Sequence, residues 1–242
     1  MIQIIEDDPV TCHILSTLLQ RLRYTHCEAH TGEEAMQQLK TCPIDLVIAD
    51  MGLPDMNGLK LLAEKHALPY LRDIPVLCCT AQADIETVEA ALGHGAIDFV
   101  KKPIMVQPFA ARVNRAMERA PVRWESWREM NKRLRFSGRS IQPMLAIAQQ
   151  VLRELDAALA DAQTTDANPA ELNALVARAR GAAANVGALR TVQQIDRLWQ
   201  GQCAAQDIEY LRAALLIEQA AFDEAIAARA AMGDAAPEQI AS

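Results

Sequence analysis

The sequence has 242 residues, more than one compact domain of ordinary size requires, and its 51% hydrophobic content is enough for two packed cores. The formal charge is −7, and with no apolar run of bilayer length and no charged-then-apolar leader at the start a cytoplasmic protein is expected rather than a membrane-spanning or exported one. Six cysteines, Cys12, Cys27, Cys42, Cys78, Cys79 and Cys203, show no CxxC spacing and are read as reduced thiols.

In chain order, Ile2 to Ile5 reads as an apolar strand, and Pro9 to Arg23 as a helix whose stripe is Val10, Ile14, Leu15, Leu18, Leu19 and Leu22. His26 and His30 flank a further strand, and Thr31 or Gly32 starts a helix that runs to about Lys40. Strands are expected over Ile44 to Ala49, Pro75 to Cys79 and Ile97 to Val100, with helices over Asn57 to His66, Asp84 to Leu92 and Gln107 to Glu118. This alternation predicts an α/β domain, a five-stranded parallel doubly wound sheet with helices on both faces and right-handed crossovers.

Chemistry gathers at the carboxyl ends of those strands, where open parallel sheets place functional groups. Asp7 and Asp8 follow the first strand, Asp50 ends another, Thr80 follows the next and Lys102 precedes Pro103. Such a set reads as a phosphoaspartate site. Asp50 is the nucleophile, while the ammonium of Lys102 and the hydroxyl of Thr80 stabilise phosphoryl oxygens. Mg²⁺ suits a site of one or two carboxylates plus phosphate. Asp8 and Asp50 are expected as direct ligands, Asp7 through a metal-bound water, and the Gly52 carbonyl as a further oxygen donor. The Lys102–Pro103 peptide bond is expected to be cis.

The stretches Glu6-Asp7-Asp8, Asp50-Met51-Gly52-Leu53-Pro54-Asp55-Met56-Asn57-Gly58, Thr80-Ala81 and Phe99-Val100-Lys101-Lys102-Pro103 occur in that order. Over about Ile2 to Glu118 the chain resembles the receiver domain of two-component response regulators, a flavodoxin-like fold. The resemblance implies a sensor histidine kinase or a phosphotransfer protein as phosphoryl donor. It also implies a switch in which Thr80 moves toward the phosphoryl group while the aromatic at Phe99 changes rotamer. A Phe lacks the hydroxyl of the commoner Tyr, so its switching works by packing alone.

From Arg112 to Arg139 eight Arg and one Lys face three Glu, a local charge of +6 that leaves −13 for the rest of the chain. Such asymmetry marks either a nucleic-acid contact or a docking strip for acidic protein surfaces. Trp124, Trp127, Met130 or Asn131, and Leu134 keep helical spacing, so an amphipathic connecting helix is the preferred reading, bracketed by Pro121 and Ser137-Gly138. The domain organisation expected is thus 1–118 for the α/β domain, 119–139 for a basic helical linker, 140–231 for a helical domain and 232–242 for a disordered tail.

Everything from Ser140 reads as helix: Ser140 as N-cap of a helix to Leu159, then Pro169 to about Val186, Thr191 to Gln200 and Asp207 to Arg229. Short connections make this an antiparallel four-helix bundle. On the second of these helices Leu172, Leu175, Val176, Ala179, Ala182 or Ala183, and Val186 face inward, while Ala177, Gly181 and Ala184 form a bare strip bordered by Arg178 and Arg180. Small residues of this kind also serve simply to let another helix pack closely. The run Ala177-Arg178-Ala179-Arg180-Gly181-Ala182-Ala183-Ala184-Asn185-Val186-Gly187-Ala188 resembles the histidine-containing phosphotransfer (HPt) motif. Ala177 stands where that family has its phosphorylated His, and no His follows His94.

The resemblance therefore implies a pseudo-HPt module that keeps a docking face without a nucleophile. The expectation is a response regulator phosphorylated on Asp50, with the helical half as a protein-binding output for another receiver or a kinase, and homodimerisation as one way of responding. On this reading it is no enzyme beyond its own phosphorylation and dephosphorylation. The rivals are a bundle active as phosphatase or phosphotransferase, with Asn185 the only amide near the strip, and nucleic-acid binding through the basic segment.

Overall fold

The computed structural model describes residues 1–81, 85–120, 142–162, 168–199 and 205–232. It divides into two compact units, Met1–Pro121 and Val122–Ser242. Beyond Arg119 and Ala120, the expected basic linker with Trp124, Trp127 and Leu134 lies outside the described residues, as do the Ser140 cap, Asp84, Cys203 and the tail after Met232.

The first unit runs β1 (Ile2–Ile5), α1 (Pro9–Arg21), β2 (His26–Ala29), α2 (Gly32–Thr41), β3 (Leu46–Asp50), α3 (Gly58–Ala67), β4 (Val76–Thr80), α4 (Ile85–Gly93), β5 (Ala96–Lys101) and α5 (Val106–Arg119). All strand pairs are parallel, in the order β2-β1-β3-β4-β5. β1 is an interior strand buried on both faces, which is why three of its four residues are Ile rather than alternating apolar with polar. Its one polar residue, Gln3, is fully buried, and its amide donates to the Ala35 carbonyl and the Gln38 side chain, each at 3.0 Å, tying α2 to the sheet.

Helix α1 stops short of the predicted Arg23 because Arg23 adopts φ 62°, in the left-handed region. Its amide then donates to the Gln20 carbonyl at 3.0 Å and that of Tyr24 to Leu19 at 3.0 Å, the double closure that ends many helices. Only part of the predicted α1 stripe is buried. Cys12, Leu15 and Leu19 pack inward with Phe109 and Val113 of α5, whereas Val10 and Ile14 are 67% and 44% exposed. At about 100° per residue those two lie roughly opposite the buried line.

β3 and β4 each extend one residue further than the sequence suggests, so Asp50 and Thr80 are the last residues of their strands. In register, Ile5 lies beside Ala49, Asp50 beside Cys79, and Thr80 beside Lys101. Glu6, Asp50, Thr80 and Lys102 therefore reach one edge together. A register shift between Val76 and Leu77 sets Leu77 opposite Asp98 and carries β5 to that edge. The Lys102–Pro103 bond is cis.

The second unit contains α6 (Gln142–Ala162), α7 (Pro169–Asn185), α8 (Leu189–Leu198) and α9 (Ala205–Met232). α6 packs on α7 and α9, and α8 packs on the same two. The buried side chains include Leu145, Leu152, Leu155 and Leu159 of α6, Leu172, Val176, Ala179 and Ala183 of α7, Ile195 and Leu198 of α8, and Leu211, Leu215 and Phe222 of α9. Fully burying a Leu or Phe contributes roughly 1.5–3 kcal/mol each, so these lines hold the helices together. Among them lies an ion pair with no apolar signature in the sequence. Arg190 and Glu218 are each 3% exposed, with Nε to Oε1 at 3.6 Å, and the Thr191 hydroxyl donates to Glu218 Oε2 at 3.0 Å.

Candidate functional site

Where β1, β3, β4 and β5 end, Lys102 Nζ donates to Asp50 Oδ2 at 2.7 Å and lies 2.8 Å from Glu6 Oε2. Carboxylate oxygens of Glu6, Asp7 and Asp50 all fall within 4.8 Å of one another. The Glu6 side chain is 1% exposed, that of Asp50 13% and that of Lys102 23%. Burial, joined by the Asp50 charge, pushes the Glu6 carboxyl above its usual range, against the pull of its hydrogen bond to Lys102. For Lys102 burial acts downward, but hydrogen bonds from its ammonium to Asp50 and Glu6 prevail and hold it above the usual lysine range. Three carboxylates, Glu6, Asp7 and Asp50, stand against one ammonium, so the cleft is short of positive charge.

That donor set, three hard oxygen ligands crowded at one point with a charge deficit, fits a Mg²⁺ ion. The expected ligand assignment needs one correction. Asp8 is not in the group. It is the N-cap of α1, its Oδ2 accepting from the Thr11 amide at 2.8 Å and the Thr11 hydroxyl at 2.6 Å. Those hydrogen bonds, the hydroxyl's first, lower its carboxyl. Glu6, the residue immediately after β1, takes the place that sequence reasoning gave to Asp8. The missed signal was the length of the apolar run: the strand ends at Ile5, so the first acid after it points into the edge, while the third precedes Pro9 at the start of a helix and caps it.

Asp7 stands where it was expected, beside Asp50. Gly52 follows Asp50 closely, its amide donating to Asp50 Oδ1 at 3.2 Å, and pairs with Asn57 across the loop. Thr80 is half-buried at the end of β4, and its carbonyl accepts from the Lys102 amide at 2.8 Å, so strand pairing itself brings threonine and lysine together. Phe99 is half-buried in β5. Two residues escaped sequence reasoning. His30 Nδ1 donates to the Glu6 carbonyl at 3.0 Å, and Asp55 accepts from the Gly32 and Glu33 amides at 2.9 and 3.1 Å. Of the basic segment, the part on α5 is described, and there Arg112 Nε lies 3.4 Å from Asp98 Oδ2.

In the second unit Ala177, Arg178 and Arg180 are exposed on α7, and Gly181 and Ala184 are half-buried. A Cβ added at Gly181 would meet nothing within 4 Å. The bordering arginines are not free cations. Arg178 pairs with Glu154 of α6, and Arg180 with Asp196 of α8, Nη2 to Oδ2 at 2.8 Å. That hydrogen bond lowers the Asp196 carboxyl.

An acidic cleft faced by a lysine, at the carboxyl edge of a 2-1-3-4-5 parallel sheet, defines the first unit as a flavodoxin-like type of domain. Residues 2–114 match the response regulator receiver domain, and this half of the chain is a receiver domain of two-component signalling. It is 34% identical over 116 residues to the transcriptional regulatory protein ZraR of Escherichia coli, covering 48% of this chain and 26% of that protein. It is likewise 34% identical over 101 residues to the signal transduction histidine-protein kinase BarA of Shigella flexneri, covering 41% of this chain and 11% of that one. Among solved structures, a putative response regulator from Chloroflexus aurantiacus aligns at 32% identity with a TM-score of 0.46, over 48% of this chain and 96% of that one. The chain thus spans about a quarter or less of these two curated relatives.

Proposed function

We propose that the chain is a response regulator whose Asp50 accepts a phosphoryl group from a phosphohistidine of a sensor kinase or phosphotransfer protein. The observation that carries this is Lys102 Nζ held 2.7 Å from Asp50 within a three-carboxylate group at the sheet edge. An Asp50 oxygen attacks the phosphorus in line, the new P–O bond forms as the P–N bond breaks, and the electron pair leaves with the donor imidazole. Lys102 shifts its hydrogen bond from Asp50 to a phosphoryl oxygen, and the Thr80 hydroxyl donates to another. Mg²⁺ held by Glu6, Asp7 and Asp50, with the Gly52 carbonyl as a further donor, would neutralise the charge that gathers on the phosphoryl oxygens. Thr80 and Phe99 then transmit the change by packing.

Val10, Ile14, Met105 and Val106 support a protein donor. They are 67%, 44%, 64% and 54% exposed, on α1 and at the entry to α5, elements whose inner sides share one core cluster. Exposed apolar side chains on these two elements suit a helical partner that brings its histidine to Asp50. Acetyl phosphate tests the chemistry without a partner: Mg²⁺-dependent labelling is expected in the wild-type protein and none in Asp50→Asn. Label that persists in that variant contradicts the assignment.

For the second unit we propose an antiparallel four-helix bundle of the HPt type that has lost its nucleophile and acts as a protein-binding output in the cytoplasm. Support comes from the mutual packing of α6 to α9, from exposed Ala177 at the histidine position and from the open space over Gly181. Ala177→His is expected to accept label from a phosphorylated receiver. A folded variant that takes none from any receiver tested counts against the docking face.

A further inference from the structure

We propose that Asp55 is a positioning residue which, through the start of α2, sets the cation affinity of the carboxylate cleft; the proposal rests on the Mg²⁺-dependent reading given above. Glu6 follows β1 and Asp50 ends β3, and the two, of like charge, hold oxygens within 4.8 Å of each other. Something must oppose their repulsion when no cation is bound, and Lys102 is one such element. A hydrogen-bonded frame around the back of the cleft is the other.

The frame begins at the Glu6 carbonyl, which can only accept, so His30 Nδ1 carries the proton of their 3.0 Å bond. The His30 amide donates to Glu34 Oε2 at 2.8 Å, which ties His30 to the first turn of α2. The two preceding first-turn amides, Gly32 and Glu33, donate at 2.9 and 3.1 Å to the two oxygens of Asp55. Those bonds lower the Asp55 carboxyl, the one from Gly32 most. Asp55 belongs to the β3–α3 loop, and Gly52 of that loop pairs with Asn57 and donates to Asp50 Oδ1 at 3.2 Å. The path therefore runs from Glu6 to His30, through the first turn of α2, to Asp55 and on to Asp50.

The Thr31 hydroxyl, which accepts from the Glu34 amide at 3.1 Å, caps α2 from its own sequence neighbourhood and lies outside this path. Asp55 comes from another loop, and its two bonds hold that loop against α2. Packing agrees, because a Cβ at Gly32 would come within 2.4 Å of the Met56 side chain. The head of α2 is built to receive the loop closely. Losing Asp55 frees the β3–α3 loop to relax away from Glu6 and spread the oxygens that a small octahedral ion requires together.

Calorimetric titration of the full chain with MgCl₂ tests this. Asp55→Ala is expected to weaken Mg²⁺ binding by about tenfold, as loss of residues that support a metal's ligands commonly does. Asp55→Asn, which keeps one acceptor oxygen, falls between it and wild type. Thr31→Ala removes a first-turn bond of the same helix but leaves Asp55 in place, and it retains wild-type affinity. Metal-free hydrogen exchange gives an independent reading, with Gly52 and Asn57 exchanging faster in Asp55→Ala and unchanged in Thr31→Ala. Wild-type affinity in both Asp55 variants, or equal weakening by Thr31→Ala, overturns the proposal alone. A wild-type protein that binds no Mg²⁺ overturns the reading of the cleft and the proposal with it.

Discussion

Glu6 and Asp8 stand two residues apart, yet one is buried against Lys102 and the other caps a helix in solvent. Their chemistry should separate accordingly. Glu6→Gln is expected to weaken Mg²⁺ binding about tenfold or more, since it removes a charge and one donor of the group. Asp8→Ala is expected to lower stability through the lost cap and to leave affinity almost unchanged. Titration with Mg²⁺ and urea unfolding of both variants check this, and a larger affinity loss in Asp8→Ala would restore the assignment made from sequence. Asp50, Thr80 and Lys102 were legible in the sequence because each closes or follows an apolar strand. Glu6 was not, because deciding which acid of three points inward needs the strand's end to within one residue. Asp55 was harder still: its hydrogen bonds reach amides 22 and 23 positions back along the chain, and no local pattern records such a contact.

Among elements, the order and type of strands and helices followed from apolar periodicity, and the departures lie at their ends. α1 closes early on the left-handed Arg23, and α8 starts at Leu189, just after Gly187 at φ 70° makes the turn from α7. The inward line of α7 was also readable, but the pairing of Arg178 and Arg180 with α6 and α8 was not, because each acid lies on another helix. The glycines distinguish the two units. At Gly58 an added Cβ would lie 2.7 Å from the Met51 backbone, so Gly58→Ala is expected to destabilise the first unit by about 1–3 kcal/mol. Gly181 faces open space within α7, so Gly181→Ala is expected to stabilise the second unit by about 0.5–1 kcal/mol through helix propensity. Thermal unfolding followed by circular dichroism measures both. Destabilisation by Gly181→Ala would mean that something does press on that strip.

At the scale of the whole molecule, the two compact units differ in how they should answer acid. All five His lie in the first, among them His66, whose ring meets His94 edge-on at 6.0 Å. Burial, with the nearby charges of Arg72 and Lys65, lowers the His66 imidazole below its usual range. A lowered histidine binds fewer protons folded than unfolded. Its contribution to stability is therefore present above the ordinary value near ~6.5 and is lost as pH falls from there through the lowered folded value. Urea unfolding at pH 7.5 and about 5.5 should show a loss in the wild-type receiver that His66→Gln reduces. An equal loss in the variant would place the effect elsewhere.

The same division leaves the carboxylate cleft at the ends of β1, β3, β4 and β5 wholly within the first unit, and the most direct test of its proposed phosphoacceptor role is to find the modified residue itself. The protein is treated with acetyl phosphate and Mg²⁺ and then with borohydride, which reduces an acyl phosphate on aspartate to homoserine, and the peptides are sequenced by mass spectrometry. The account predicts homoserine at position 50, absent when Mg²⁺ is chelated. Homoserine at another aspartate, or none at position 50 with Mg²⁺ present, would contradict it.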